Sequence, residues 1–409
     1  MLARAATHGR CRTPRRLCLN GAVRSLGHPP SAACEAIRSS VREFLDTLEL
    51  PASPDPFSLD LDLKRRVQQA SAAAGLYCPH LPPDDGGLGL SLVDNFWIQE
   101  EVYARGIGGA QWMLAWTDGP SPLVGAWSPA ARERYLGDFL AGTTTCAFAL
   151  TEPGAGSDFP ALITSARRDA GGYVIDGEKH LITGAPSAEL AQVFARVAGS
   201  PRGELTAFLV PLDAPGVERT GVQQTIMGDG ITGGLRFTGV RVPASARLGE
   251  EGAGLALAFR WINWARTRRG GMCTGLARHC LERSIAYARE RHAFGRAIAE
   301  FGAVGEMLAN MSIDVEAMAA LSLEMLARLD AGTAFTGKVS REDRRHISIL
   351  KTLCDETLYR VADTAIQVHG GRGLLTEVGL ERIFRVARNL RVPAGTTEVQ
   401  RDLIARSLE

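Results

Sequence analysis

Lysine is almost missing. A chain of 409 residues in which Lys and Arg together number 46 has only Lys64, Lys179, Lys338 and Lys351. Arginine fills nearly every other basic position, a bias that points to a GC-rich genome, often bacterial. Net charge is also nearly absent, at +1, so nothing suggests nucleic acid or an anionic membrane as partner. No apolar run approaches the ~20 residues that a membrane span needs. Cys-x-x-Cys pairs are lacking: the eight cysteines, Cys11, Cys18, Cys34, Cys78, Cys146, Cys273, Cys280 and Cys354, are scattered, as expected of reduced thiols in a cytosolic or organellar protein. His80, His180, His292 and His369 lack the spacing of metal ligands, and no metal is expected. Acidic residues are missing before Glu35, while Arg4, Arg10, Arg12, Arg15, Arg16 and Arg24 crowd the same stretch. That composition fits a mitochondrial transit peptide, a disordered leader, or a start codon placed too far upstream. Residues 1–34 are therefore expected to lie outside the fold. The expected compartment is a bacterial cytoplasm, or the mitochondrial matrix if the source is eukaryotic.

What is present has the makeup of a soluble globular protein: 45% hydrophobic and 22% charged residues, long enough for two or three domains. From 35 to 142 the periodicity is helical. Ala36, Ile37, Val41, Phe44, Leu45 and Leu48 recur at three-four spacing, residues 61–74 repeat the pattern, and Ser91 stands as N-cap of a helix over 91–105. A Pro-rich loop is expected over 51–56. Residues 110–127, uncharged apart from Asp118, predict a helix buried on several sides. From 143 to 246 the texture changes to short β-branched or alternating runs, at 146–150, 161–168, 172–175, 180–183, 192–197, 205–210 and 235–242, which predict an antiparallel barrel or sandwich. From 247 to 409 the helical pattern returns over 255–291, 302–331, 342–369 and 379–390, as in a four-helix bundle. The fold class is thus multidomain α+β: N-terminal helices, a central antiparallel β-barrel, and a C-terminal four-helix bundle.

Two glycine turns near the C-terminus stand out. One is Gly370, Gly371 and Gly373; the other is Pro393-Ala394-Gly395-Thr396-Thr397, followed by a helix over 398–408. Glycine lets backbone approach a ligand, and a helix start offers free N–H groups to a phosphate. Two ordinary helix-to-helix turns would look the same. Phe148-Ala149-Leu150-Thr151-Glu152-Pro153-Gly154-Ala155-Gly156-Ser157-Asp158 resembles the signature of the acyl-CoA dehydrogenase family. Three further blocks agree in order and spacing: Gly177-Glu178-Lys179-His180-Leu181-Ile182-Thr183, Arg289-Glu290-Arg291-His292-Ala293-Phe294-Gly295, and the closing pair of glycine turns. The resemblance covers residues 36 to 409.

It implies FAD held between barrel and bundles, acyl-CoA or an acyl-carrier thioester as substrate, an electron-transferring flavoprotein as redox partner, and a homodimer or homotetramer. Carried over residue by residue, it assigns flavin hydrogen bonds to Thr151 and Thr183 and an apolar wall to Phe148 and Leu150. Gly156 and Ser157 go with the diphosphate, and Leu181 takes the place of a tryptophan often set against the flavin. Arg291, Phe294, Gln367, Gly370, Gly371, Thr396 and Gln400 match residues that reach a neighbouring subunit's cofactor. Asn263, where the family commonly has Asp, and Arg266 fall on the substrate side.

The resemblance also exposes a gap. Family members remove the substrate's α-proton with a carboxylate while the β-hydride passes to flavin. The two positions that usually carry it are Ala394 and Ala265, and alanine moves no proton. Three readings stand. The base has moved, with Asp118 as the candidate, since a carboxylate in apolar surroundings can act near neutrality; Asp118 before Gly119-Pro120 reads equally as a turn or cap residue. Alternatively the reaction needs no such base, as in an enoyl-thioester reductase, a desulfinase or a flavin monooxygenase. Or the chain is a flavin-binding subunit without catalysis.

Overall fold

The computed structural model describes residues 27–50, 59–115, 117–199, 201, 204–331 and 339–409. The Pro-rich segment 51–56, the arginines of the leader and Lys338 lie outside the described residues. Helix α1 (Ala32–Thr47) begins three residues before the expected boundary, because the Ser31 hydroxyl accepts the Cys34 N–H at 3.1 Å and caps it. Cys34 is fully buried, and His28 accepts the Trp97 indole N–H on its carbonyl, so the fold takes in residues that the acid-free composition had set aside. Helices α2 (Leu61–Ala73), α3 (Leu92–Tyr103) and α4 (Pro129–Leu140) follow, and Ser91 caps α3 as its position in sequence suggests.

The described residues of the apolar stretch 110–127 are mostly buried, as expected, but do not form an α-helix. They include two short 3₁₀ turns, Ala110–Met113 and Pro122–Ala126. Pro120 and Pro122 lack the N–H groups that an α-helix would need at those positions.

Eight strands come next: β1 (Cys146–Ala149), β2 (Ser165–Asp169), β3 (Gly172–Thr183), β4 (Leu190–Val197), β5 (Thr206–Pro211), β6 (Val217–Thr225), β7 (Gly228–Pro243) and β8 (Arg247–Leu248). They form one sheet of order β6-β7-β3-β2-β4-β5-β8, with β1 on β4. The expected antiparallel barrel is corrected to an open mixed sheet. Edges β6 and β8 do not pair with each other, and β4 gives one side to β5 while sharing the other, in parallel, between β1 and β2. Strand β6 escaped the sequence reading because its residues are polar and largely exposed.

The expected helix over 255–291 is two helices, α5 (Gly254–Thr267) and α6 (Arg269–Glu290), joined at Arg268. A tight hairpin, β9 (His292–Ala293) and β10 (Arg296–Ala297), leads to α7 (Gly302–Ala331), α8 (Arg341–His369), α9 (Leu380–Leu390) and α10 (Thr397–Arg406). The N-terminal helices do not stand apart from this bundle. Val41, Phe96, Trp97, Leu276, Leu326, Leu350 and Leu358 belong to one buried cluster. Gly271 and Gly275 let α6 lie directly on α3: a Cβ at either would stand 2.4 Å from the Phe96 carbonyl or 2.6 Å from that of Glu100.

Candidate functional site

The loop leaving β1 is fixed from below by one buried ammonium. Lys179 Nζ, on β3, donates to Glu152 Oε1 at 2.8 Å, to the Leu150 carbonyl at 3.1 Å and to the Phe194 carbonyl at 2.7 Å. Glu152 also accepts the N–H groups of Ile163 (2.7 Å) and Thr164 (3.0 Å). Burial alone would raise the Glu152 pKa; the Lys179 charge and these N–H donors outweigh it and hold the carboxyl below its usual range. The His180 N–H donates to the Thr151 carbonyl at 2.9 Å. Thr151 is thereby set beside the irregular part of β3 that carries Leu181 and Thr183. The hydroxyls of Thr151, Ser157 and Thr183 make no side-chain hydrogen bond to the described residues. Gly156, in the same loop, has open space where a Cβ would be.

Three non-glycine residues among those described have positive φ: Leu181 (+54°), Phe294 (+50°) and Ala394 (+59°). A side chain in that region costs on the order of 1 kcal/mol or more and persists where the surroundings enforce it. Leu181 is 53% exposed and Phe294 96%, so two apolar side chains are held outward at a cost in both backbone strain and hydration. Phe294 and Gly295 form the two-residue turn of the β9–β10 hairpin, both at positive φ, which suits the twist of such hairpins.

Phe148 stacks on Trp261 of α5 with centroids 4.0 Å apart, and Trp261 meets Trp264 edge-on. His80 lies against Trp264 at 4.9 Å, with its Nε2 3.0 Å from the Pro120 carbonyl, so Nε2 carries the proton. Ala265 and Ala394, the positions that lack a carboxylate, are half-buried and abut this same apolar cluster. Arg266 is buried. Its Nε donates to the Ala394 carbonyl at 2.8 Å and its Nη1 to Asn263 Oδ1 at 3.3 Å. Gln400 donates weakly to the carbonyls of Ala394 (3.5 Å) and Gly395 (3.4 Å), while its own Oε1 is buried without a partner. Thr396 caps α10 by accepting the Val399 N–H. The structure thus brings Phe148, Leu150, Asn263, Arg266, Ala394, Gly395 and Gln400 together.

Asp118 is not the free carboxylate that its sequence position allowed. It is buried and paired with Lys64 of α2, and its carbonyl accepts the Cys146 N–H at 2.7 Å. A second group of expected residues gathers elsewhere. Arg291, Gln367, Gly370 and Gly371 line a cavity of about 430 Å³ with Tyr287 and His369, whose rings stack at 4.4 Å. Sequence reading missed the Lys179–Glu152 staple, although a signal was available. Each described lysine, Lys64, Lys179 and Lys351, is buried and paired with an acid: Asp118, Glu152 and Asp355.

Family models named acyl-CoA dehydrogenase match the chain along nearly its whole length: the N-terminal domain over 31–143, the middle domain over 147–240 and the C-terminal domain over 252–409. The chain is 30% identical over 383 residues to a 3-(aryl)acrylate reductase of Clostridium sporogenes, covering 91% of this chain and 98% of the relative. It is 32% identical over 364 residues to a cyclohex-1-ene-1-carbonyl-CoA dehydrogenase of Geobacter metallireducens, covering 86% and 93%. The structure superposes with a TM-score of 0.82 and 27% identity on an acyl-CoA dehydrogenase complexed with FAD from Bacillus anthracis, covering 94% of this chain and 69% of the other.

Proposed function

The chain belongs to the acyl-CoA dehydrogenase family, and from that premise we propose an FAD-dependent oxidoreductase acting on the CH–CH bond of an acyl thioester, in the reductive direction. The similarity to a 3-(aryl)acrylate reductase supports the direction. The site departs from its family in that both usual positions for the base are alanine, while the candidate replacement, Asp118, is tied to Lys64 in the protein interior.

The residues fit a flavin. Thr151, Ser157 and Thr183 keep hydroxyls without protein partners around a loop held rigid by the Lys179–Glu152 pair. Phe148 and Leu150 supply an apolar wall, and Leu181, strained and exposed, gains a surface to cover. Arg291, Gln367, Gly370 and Gly371 form a separate receptor, suited to the cofactor of a second subunit in a homodimer or homotetramer; Phe294, 96% exposed, is the residue such an assembly would cover. When bound, FAD exchanges a hydride with the substrate's β-carbon and electrons with a carrier such as an electron-transferring flavoprotein.

This chain's own part is to bind and orient. Backbone around Gly395, held by Arg266 and Gln400, shapes the floor beneath the reacting carbons. Trp261, Trp264 and Phe148 exclude water from it. The two directions share one proton route: the group that takes the α-proton in dehydrogenation is the one that returns it to Cα in reduction, and neither Ala394 nor Ala265 can do either, so proton transfer at Cα falls to a donor other than these two positions.

The test is α-proton exchange in D₂O. Butyryl-CoA incubated with the FAD-loaded wild type should take up no α-deuterium, whereas Ala394→Glu should exchange and bleach its flavin about 10²–10⁴-fold faster. Equal exchange by the two proteins would show that a base is already present.

A further inference from the structure

Arg266 is 6% exposed and has no carboxylate within ion-pair distance among the described residues. Burial pulls its pKa down to about 10, which still leaves it charged at neutral pH. A buried cation without a counter-ion is costly, and proteins normally pair it.

The missing acids can be named. Asn263 stands where the family commonly has Asp, and its Oδ1 lies 3.3 Å from the Arg266 Nη1. An aspartate there would face the same nitrogen as a counter-ion. Ala394 offers only its carbonyl, 2.8 Å from Nε, and Ala265 is the preceding residue of α5. Each of the three positions that could have placed an acid beside this guanidinium is therefore neutral. Other elements do not make up the difference. Lys351 of α8 bonds Asp355 at 2.7 Å and is repelled by Arg266, while Arg269 shares that same acid at 3.7 Å. Arg268 rests over the Trp264 ring at 4.6 Å.

We propose that Arg266 is left unneutralised in order to stabilise the enolate that forms on the thioester. A hydride arriving from reduced flavin at Cβ moves the π pair onto Cα and the thioester oxygen. The anion lasts until a proton reaches Cα, and neither Ala265 nor Ala394 can deliver one. The proposal rests on the thioester reading above. A base at 265 or at 394 would have to reach one and the same α-proton, so the reacting carbons lie within a side chain's length of both. Arg266 adjoins both positions, and its Nη2 stands 2.9 Å from where a Cβ on Gly395 would be. Its charge acts across the Ala394–Gly395 turn, so it is a positioning and electrostatic residue that no substrate atom need touch. Fixed charge aimed at developing charge in a dry site is a large source of rate.

Acetoacetyl-CoA tests this, because its α-proton lies between two carbonyls and leaves to solvent without a protein base. FAD-loaded protein is saturated with it and titrated with pH, following the long-wavelength band that an enolate gives against oxidised flavin. The bound ligand should ionise about 1–2 pH units below the free ligand in the same buffer. Asn263→Asp, nearly isosteric, should raise the bound value by about 1 unit, and Arg266→Gln should raise it as much, whereas Arg266→Lys should keep most of the lowering. If bound and free ligand ionise at the same pH, or if neither Asn263→Asp nor Arg266→Gln moves the bound value, the proposal fails while the thioester reading stands. If acetoacetyl-CoA never perturbs the flavin, both fall together.

Discussion

Replacing Lys179 with methionine should be among the most damaging single changes that never touch a ligand. The ammonium is fully buried and satisfies three acceptors at once: Glu152 and the carbonyls of Leu150 and Phe194. Methionine fills similar volume but donates nothing, so two buried carbonyls and a carboxylate lose their shared partner. Breaking a buried pair from one side costs about 3–5 kcal/mol. Glu152 keeps its bonds from Ile163 and Thr164, which places the expected loss near about 3 kcal/mol. The loss falls on the loop 150–158, so FAD should leave before the helices unfold. The assay is thermal unfolding followed in parallel by flavin fluorescence and far-ultraviolet dichroism. Lys179→Met should lower the flavin-release temperature more than the helical transition, and adding Glu152→Gln should restore part of it, because the orphaned charge is removed. A Lys179→Met protein that keeps its flavin to the wild-type temperature would refute the idea that this ammonium holds the loop.

Two further outcomes follow from buried charge. Burial, with help from Arg268, pushes His80 down to about 3, and burial with Arg283 pushes His279 down to about 4. Both folded values lie below the ordinary histidine value, so the unfolded chain binds more protons and stability is lost as pH falls below about 6.5. Each histidine contributes about 2 kcal/mol of that loss by pH 5, and a flat stability profile from pH 7 to 5 would contradict it. Asp118→Asn leaves Lys64 buried without a counter-ion and should cost about 3–5 kcal/mol of stability while leaving flavin re-oxidation by an enoyl thioester in place; loss of that step in a protein that remains folded would return Asp118 to the reaction.

Local features were readable in the sequence. The loop 148–158, the strand 177–183, the hairpin at Arg291–Gly295 and the closing turn each lie within a few residues, and their glycines and hydroxyls declare themselves without a fold. Long-range features were not. Asp118 looked like a solitary acid because its partner Lys64 is 54 positions away. The apolar run 110–127 suggested a helix because burial produces the same composition whatever the backbone does, and Pro120 and Pro122 decided the matter. Closure of the sheet depends on whether β6 and β8 meet, and neither strand carries that information. The scarcity of lysine looked like genome composition alone. Its residual pattern was structural: each described lysine is a compact ammonium set in a buried pocket against an acid. The strain at Leu181, Phe294 and Ala394 is invisible in sequence, since leucine, phenylalanine and alanine announce nothing about φ.

The most direct measurement returns colour to a bleached flavin. FAD-loaded protein is reduced anaerobically with dithionite, freed of excess reductant, and mixed in a stopped-flow instrument with α,β-unsaturated acyl-CoAs. Rapid re-oxidation of the flavin by at least one of them, with the saturated thioester as product, is the predicted result. If no unsaturated thioester restores the oxidised spectrum while saturated acyl-CoAs promptly bleach the oxidised protein, a base is at work in this site and the account is wrong.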